Sequence, residues 1–180
     1  IEHGSQEAYE VIPISYPVEA AISRAHPTAE KRSVSIRYTR PESEYFLKGD
    51  SIQITSAVYN LIENAIKYSE EGTGEITITT LSRENQIELT IQDNGIGIPE
   101  ASHERVFERF YRVDPSRSRS SGGTGLGLAI VRHVVINHQG SIALDSTEGV
   151  GSTFTILLPQ KDPPETNNDL EQADQPLGVN

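Results

Sequence analysis

The run DNGIGIP, from Asp93 to Pro99, sets a carboxylate at the end of an alternating apolar segment and follows it with two glycines. In that segment Ile87, Leu89, Ile91 and Asp93 share parity, so a strand would point all four to one face. The first three bury apolar surface. The fourth is an acid aimed into an apolar layer, which is costly unless a donor meets it. An exocyclic amine such as that of adenine suits, because an ionised carboxylate only accepts. Gly95 and Gly97 allow a sharp turn and a close backbone approach to a flat ring, with Ile98 next in line. Taken alone, such a turn is more often a capping aspartate in a hairpin.

A second set lies in NLIENAIKY, residues 60–68. On a helix Asn60, Asn64 and Lys67 fall within about 60° of one another, at the edge of an apolar stripe, with Tyr68 following. Amide oxygens there suit a magnesium ion, which needs few protein ligands, and the ammonium suits phosphate. An ordinary solvated helix face is the plain alternative. A third set, Gly123, Thr124, Gly125, Leu126 and Gly127, opens an apolar helix. Free N–H groups at a positive helix terminus make an anion site, or simply a capped helix after a loop. No strand directly precedes these glycines and no Gly-Lys-Ser/Thr follows, which argues against a dinucleotide fold and a P-loop. Just before them Arg112, Arg117 and Arg119 sit in a Ser/Pro-rich stretch that suits a mobile basic lid over phosphates. Any one of these arginines except Arg112 reads equally well as plain surface charge.

The elements that must position these residues mix helix and strand. Asp50 or Ser51 caps a helix over about 51–68 whose apolar stripe is Ile54, Val58, Leu61, Ile62 and Ala65. A shorter helix is expected over 17–30, with Pro27 placed to end it early. Strands are expected at 33–38 and 44–48 around an Arg40–Ser43 turn, at 74–82 and 86–93, and at 141–146 and 153–158. A last helix spans about 125–138 and stops at Gly140. Consecutive strands joined by short turns argue for antiparallel pairing with helices on one face, an α/β two-layer sandwich.

Length and composition bound the rest. The 180 residues suit one domain, and no apolar run approaches the ~20 residues of a membrane helix. The absence of Cys excludes disulfides and thiolate metal sites, and a net charge of -11 argues against a nucleic-acid partner. Residues 161–180 supply four of those excess negative charges, are Pro/Asn-rich and are expected to be disordered. The domain is thus expected over 1–160, with 1–15 a linker. A start at Ile1 reads as a fragment of something longer.

In this order the motifs resemble those of bacterial sensor histidine kinases. Residues 60–68 look like their N box, 93–99 like the G1 box, 106–114 (VFERFYRVD) like the F box and 123–131 (GTGLGLAIV) like the G2 box. The resemblance spans roughly 10–160. It implies the ATP-binding fold shared with the ATPase modules of gyrase, Hsp90 and MutL, a mixed, mostly antiparallel five-stranded sheet on three helices with a mobile ATP lid. By that resemblance Asp93 would bind the adenine amine with Gly95, Gly97 and Ile98 around the ring. Asn64 would hold magnesium assisted by Asn60, with Lys67 and Tyr68 near the phosphates. Phe107 and Phe110 would anchor the lid, Arg112 would meet the γ-phosphate, and Gly123, Thr124, Gly125, Leu126 and Gly127 would wrap the phosphate chain. Asn60, Lys67 and Arg112 would carry the catalysis.

One departure separates branches of the superfamily. The hydrolysing relatives carry a Glu one turn before the magnesium Asn. Here Asn60 stands there and cannot act as a base, while Glu63 lies about 100° round the helix. That favours phosphoryl transfer from ATP to a histidine over hydrolysis. The rivals are a gyrase/Hsp90/MutL-type ATPase and an anti-sigma-factor type serine kinase. His103, in Ser102-His103-Glu104-Arg105, lacks the context of a phosphoacceptor, and His3, His26, His133 and His138 read as surface or packing residues. The resemblance implies a phosphoacceptor and dimerisation domain outside this chain, a response regulator as partner, and a homodimeric, membrane-anchored parent acting from the cytoplasm. The style of the N-box region, with Ala57-Val58-Tyr59, is similar to the phosphate-responsive subgroup.

Overall fold

Alternation in two neighbouring segments builds the centre of the sheet. In β4 (Glu75–Arg83) and β5 (Gln86–Asp93), Ile76, Ile78, Thr80, Ile87, Leu89 and Ile91 point inward and are buried. A two-residue turn joins them, with Glu84 at φ 48° and Asn85 at φ 64°, the backbone that matches the twist of a hairpin. The computed structural model describes residues 9–113 and 123–164. Its remaining elements are β1 (Glu10–Pro13), α1 (Ser15–Lys31), β2 (Ser35–Thr39), β3 (Phe46–Gly49), α2 (Ser51–Tyr68), α3 (Gly127–Asn137), β6 (Ser141–Thr147) and β7 (Gly151–Pro159). Short 3-10 turns occur at Glu100–Ser102 and Arg105–Phe107.

The main sheet has the order β2-β4-β5-β7-β6, parallel between β2 and β4 and antiparallel elsewhere. Its register stacks the core: Ile78 is opposite Ile91, Ile91 opposite Phe154, and Leu89 opposite Ile156. The three helices cover the inner face. From α2 come Ile54, Ala57, Val58, Leu61, Ile62, Ala65 and Ile66, and from α3 Val131, Val134 and Val135, all in one core with Phe154, Ile156 and Leu158.

Asp50 caps α2, accepting from the N–H groups of Ile52 (2.9 Å) and Gln53 (3.1 Å). The helix expected over 17–30 is present as α1, without the early end that Pro27 could have imposed. Pro27 lies inside the helix, which runs on to Lys31 because Ala25 and Ala29, either side of it, are buried and hold the last turn by packing. The expected hairpin of 33–38 with 44–48 is corrected. β2 pairs with β4, whereas β3 pairs with β1, a strand inside the segment expected as linker. The chain leaves β2 because Glu44 is captured elsewhere. Its carboxylate accepts from the Ser15 hydroxyl (2.7 Å) and Ser15 N–H (3.2 Å), capping α1 from a distance, and from Arg40 (3.2 Å). Lys161, at the start of the expected tail, bridges to Phe46 through its N–H (2.7 Å). Residues 165–180 lie outside the described residues.

Where β1 enters, Tyr9 stacks on the buried ring of His138 at 4.7 Å between centroids. That ring bonds Val134 O through Nδ1 (2.7 Å) and accepts the Asp50 N–H at Nε2 (3.0 Å). The end of α3 is thereby fastened to the start of α2. Among the described residues no helix is long and apolar enough to cross a membrane.

Candidate nucleotide site

Asp93 ends β5 on the inner face, opposite Ile76 on one side and Ser152 on the other. Its Oδ1 accepts the N–H of Gly95 at 2.8 Å. Burial pushes its carboxyl above the usual range, and the N–H groups of Gly95 and Ser152 offset this only in part. A half-buried acid with spare accepting capacity therefore stands at the strand end, as its parity predicts.

The glycines after it are required by backbone crowding. A Cβ on Gly95 would lie 2.5 Å from the carbonyl oxygen of Tyr68, the group that accepts the Ile96 N–H. Gly97 has φ +70°, and a Cβ there would run into the carbonyl of Thr147. The turn is thus pressed between the end of α2 and the β6–β7 hairpin. Ile98 packs on the core, and its carbonyl meets Nε2 of His103 at 2.9 Å. His103 is occupied inside this loop, as a packing residue would be.

On α2, Asn60 donates from Nδ2 to Ser56 O (2.9 Å), which turns its Oδ1 outward. A Cβ on Gly127, the first residue of α3, would sit 3.2 Å from that oxygen. Asn64 is half-buried one turn further on. Lys67 lies with Nζ 5.2 Å from the ring centroid of Tyr68 and beside the Cα of Gly123; the Gly123 carbonyl accepts from the Arg112 guanidinium. Asn60, Lys67 and Arg112, from two separate stretches of chain, therefore converge on the glycine turn at the start of α3. Among the described residues no side chain caps that helix start, and its N–H groups can meet a ligand or water.

Gly125 has φ +70°, and its carbonyl accepts the Phe110 N–H at 2.9 Å. The two aromatics expected to anchor a lid differ. Phe107 packs edge-on to Phe154 at 6.2 Å, whereas the Phe110 side chain is 72% exposed at φ 65°, so its backbone and not its ring holds the glycine turn. Tyr68 also contributes its carbonyl, its ring being largely exposed. Thr124 is exposed and Leu126 half-buried. Arg117 and Arg119, expected in the lid, lie outside the described residues.

Ser152 is a site residue that sequence reasoning missed. It is buried and faces Asp93 across the ladder. The signal was available: it shares parity with Phe154, Ile156 and Leu158, a polar residue at an inward strand end, as Asp93 is in β5. An open concavity of about 480 Å³ includes Asp93, Ser146 and Ser152 in its lining, with Thr77, Gln92 and Thr153, and touches neither α2 nor α3.

Residues 49–162 match the protein-family model described as "Histidine kinase-, DNA gyrase B-, and HSP90-like ATPase". The sensor-like histidine kinase SenX3 of Mycolicibacterium smegmatis is 48% identical over 158 residues, 88% of this chain and 40% of that protein. The phosphate regulon sensor protein PhoR of Pseudomonas aeruginosa is 49% identical over 109 residues, 61% of this chain and 24% of that protein. The chain thus spans two-fifths or less of these curated relatives. Among solved structures, the mycobacterial sensor histidine kinase MprB superposes with a TM-score of 0.73 at 30% identity, covering 85% of this chain and 98% of that one.

Proposed function

The chain belongs to the family of histidine kinase-, DNA gyrase B- and HSP90-like ATPases, and on that premise we propose that it is the ATP-binding catalytic domain of a two-component sensor histidine kinase. The observation that carries this reading is the meeting of Asn60, Lys67 and Arg112 at an uncapped glycine-rich helix start, with Asp93 at a neighbouring strand end. Asp93 accepts the adenine amine. Arg112 exchanges the Gly123 carbonyl for phosphate oxygens, Lys67 beside Gly123 adds its ammonium to them, and the N–H groups of the glycine turn close on the phosphate chain.

The residues present fit a magnesium ion. The Asn60 amide is held so that its oxygen faces the glycine turn, and Asn64 stands on the same side of α2 as the metal-binding amide. Among the described residues no group of three His, Cys, Asp or Glu is placed to hold a metal ion, and Asn64, assisted by Asn60, would hold magnesium together with phosphate oxygens. When bound, magnesium neutralises phosphate charge and orients the terminal phosphoryl group.

Transfer is favoured over hydrolysis because nothing on α2 activates water. Asn60 has no basic atom, and the Glu63 carboxylate is exposed and accepts the Tyr59 hydroxyl at 3.1 Å. The terminal Pγ–O bond to ADP breaks, a Pγ–N bond to a histidine imidazole forms, and the histidine N–H proton is released. That histidine belongs to a dimerisation domain of a membrane-anchored parent, and a response regulator takes the phosphoryl group onward.

The test is to supply the proposed histidine-bearing dimerisation domain of the parent protein in trans with labelled Mg-ATP. Acid-labile, base-stable label on that domain, with little phosphate release by the chain alone, is expected. Steady phosphate release by the isolated chain, abolished by Asn60→Ala, would instead make it an ATPase.

A further inference from the structure

We infer that Ser146, on β6, is a positioning residue for adenine recognition, setting the distance between the Asp93 carboxylate and the turn that follows it. The inference rests on the nucleotide reading above and adds a residue to it. Ser146 Oγ accepts the Ile98 N–H at 2.8 Å, donates to the Gly151 carbonyl at 3.0 Å, and lies 2.9 Å from the Ser152 hydroxyl. A hydroxyl has one proton and two lone pairs. With its proton on Gly151, Ser146 must accept from both Ile98 and Ser152, and all three contacts are then satisfied.

The two sides so joined are the two walls of the proposed base site. Ile98 belongs to the turn after Asp93, and Ser152 presents its backbone N–H to the Asp93 carboxyl. Two further contacts run between the same parts. The Gly149 N–H donates to Ile96 O at 2.7 Å, and Gly97 packs its bare Cα against Thr147. These are backbone contacts that any sequence with those glycines retains. The Ser146 side chain reaches both walls, as the Asp93 carboxylate does through the N–H groups of Gly95 and Ser152. Ser146 is half-buried on the inner parity of β6, opposite Ser152, where a non-polar residue would leave the Ile98 N–H short of a partner. Ser146 touches no reacting atom. It acts through Ile98 and Ser152.

The experiment titrates this chain with Mg-ADP by calorimetry and compares Ser146→Ala, Ser146→Thr and Ser152→Ala, with melting of each ligand-free protein alongside. Ser146→Ala is expected to bind ADP about tenfold more weakly, the factor given by losing roughly 1.4 kcal/mol of hydrogen bonding. Ser146→Thr, which restores the hydroxyl, is expected to recover most of that affinity. Ser152→Ala is expected to lose less than Ser146→Ala, and the double variant no more than Ser146→Ala, because both act through one network. Equal affinity of Ser146→Ala and the unsubstituted chain would overturn the inference, as would equal losses in the Ala and Thr variants. Should Ser146→Ala melt below the assay temperature, unchanged ADP affinity in Ser152→Ala would overturn it instead. Failure of the unsubstituted chain to bind ADP would overturn the nucleotide reading itself.

Discussion

Replacing Asp93 by Asn separates the cost of the site from its use. In the folded chain one carboxylate oxygen accepts the Gly95 N–H, and burial holds the group above its ordinary range. An Asn keeps an oxygen for Gly95 but turns an NH2 toward the position proposed for the adenine amine, setting donor against donor. The charge-assisted hydrogen bond so lost is worth about 1.5–3 kcal/mol, roughly ten- to 150-fold in Kd. The ligand-free fold should respond in the opposite sense. A carboxyl raised in the folded state contributes stability that is present below its unfolded pKa and lost as pH rises through the folded value. At pH 7 the charged Asp93 therefore costs stability, and Asp93→Asn should melt no lower than the parent. On acidification the two melting points should converge or cross. Nucleotide affinity of the parent runs the other way, falling as pH drops through the raised value. Calorimetry with Mg-ADP and melting scans from pH 5 to 8 test both halves. Undiminished ADP affinity, or a ligand-free midpoint more than about 3 °C lower at pH 7, roughly 1 kcal/mol at this chain length, would refute the reasoning.

Four other perturbations have defined outcomes. Glu44→Gln should destabilise the fold at pH 7 by about 1 kcal/mol, since hydrogen bonds from Ser15 and Arg40 outweigh burial and lower the Glu44 carboxyl. Because that pKa is depressed, the contribution is present above the unfolded value and lost as pH falls through the folded one, so urea melts of parent and variant should converge on acidification below the ordinary carboxylate range. Gly97→Ala should cost at least about 1–3 kcal/mol in the same assay, combining a positive φ with a Cβ driven into Thr147. Ile91→Ala, 1% exposed between Ile78 and Phe154, should cost about 2–5 kcal/mol. Removing magnesium with EDTA should weaken ATP binding by the parent and leave Asn64→Ala unaffected; equal EDTA sensitivity would move the metal away from Asn64.

Where local chemistry decides, the chain is readable. α2 begins and ends where Asp50 and the apolar stripe put it, because cap and periodicity are both written within eighteen residues. The inward place of Asp93 at its strand end follows from parity alone, and the same test applied to β7 puts Ser152 at the matching place. What escaped reading depends on distant partners. A turn at Pro41 shows that the chain bends, but only Ser15, 29 positions from Glu44, explains why β2 and β3 then part. β1 has four residues and no period of its own, so its pairing with β3 leaves no local trace. Pro27 reads as a stop until the buried alanines around it are known. Phe110 and Phe107 look alike in sequence, and only packing sends one ring to the core and the other to water.

Both ends of the described domain leave from one short strand. β1 runs along one edge of β3, and Lys161 is bonded to Phe46 at its end. Four residues of strand span only about 10 Å, so a flexible linker of roughly ten residues could close residues 9 and 161 into a ring. Reopened at the tight Glu84-Asn85 bend, the circularly permuted chain would keep every ladder of the main sheet and every proposed nucleotide contact. The order in which these strands are strung together is thus separable from the site they build.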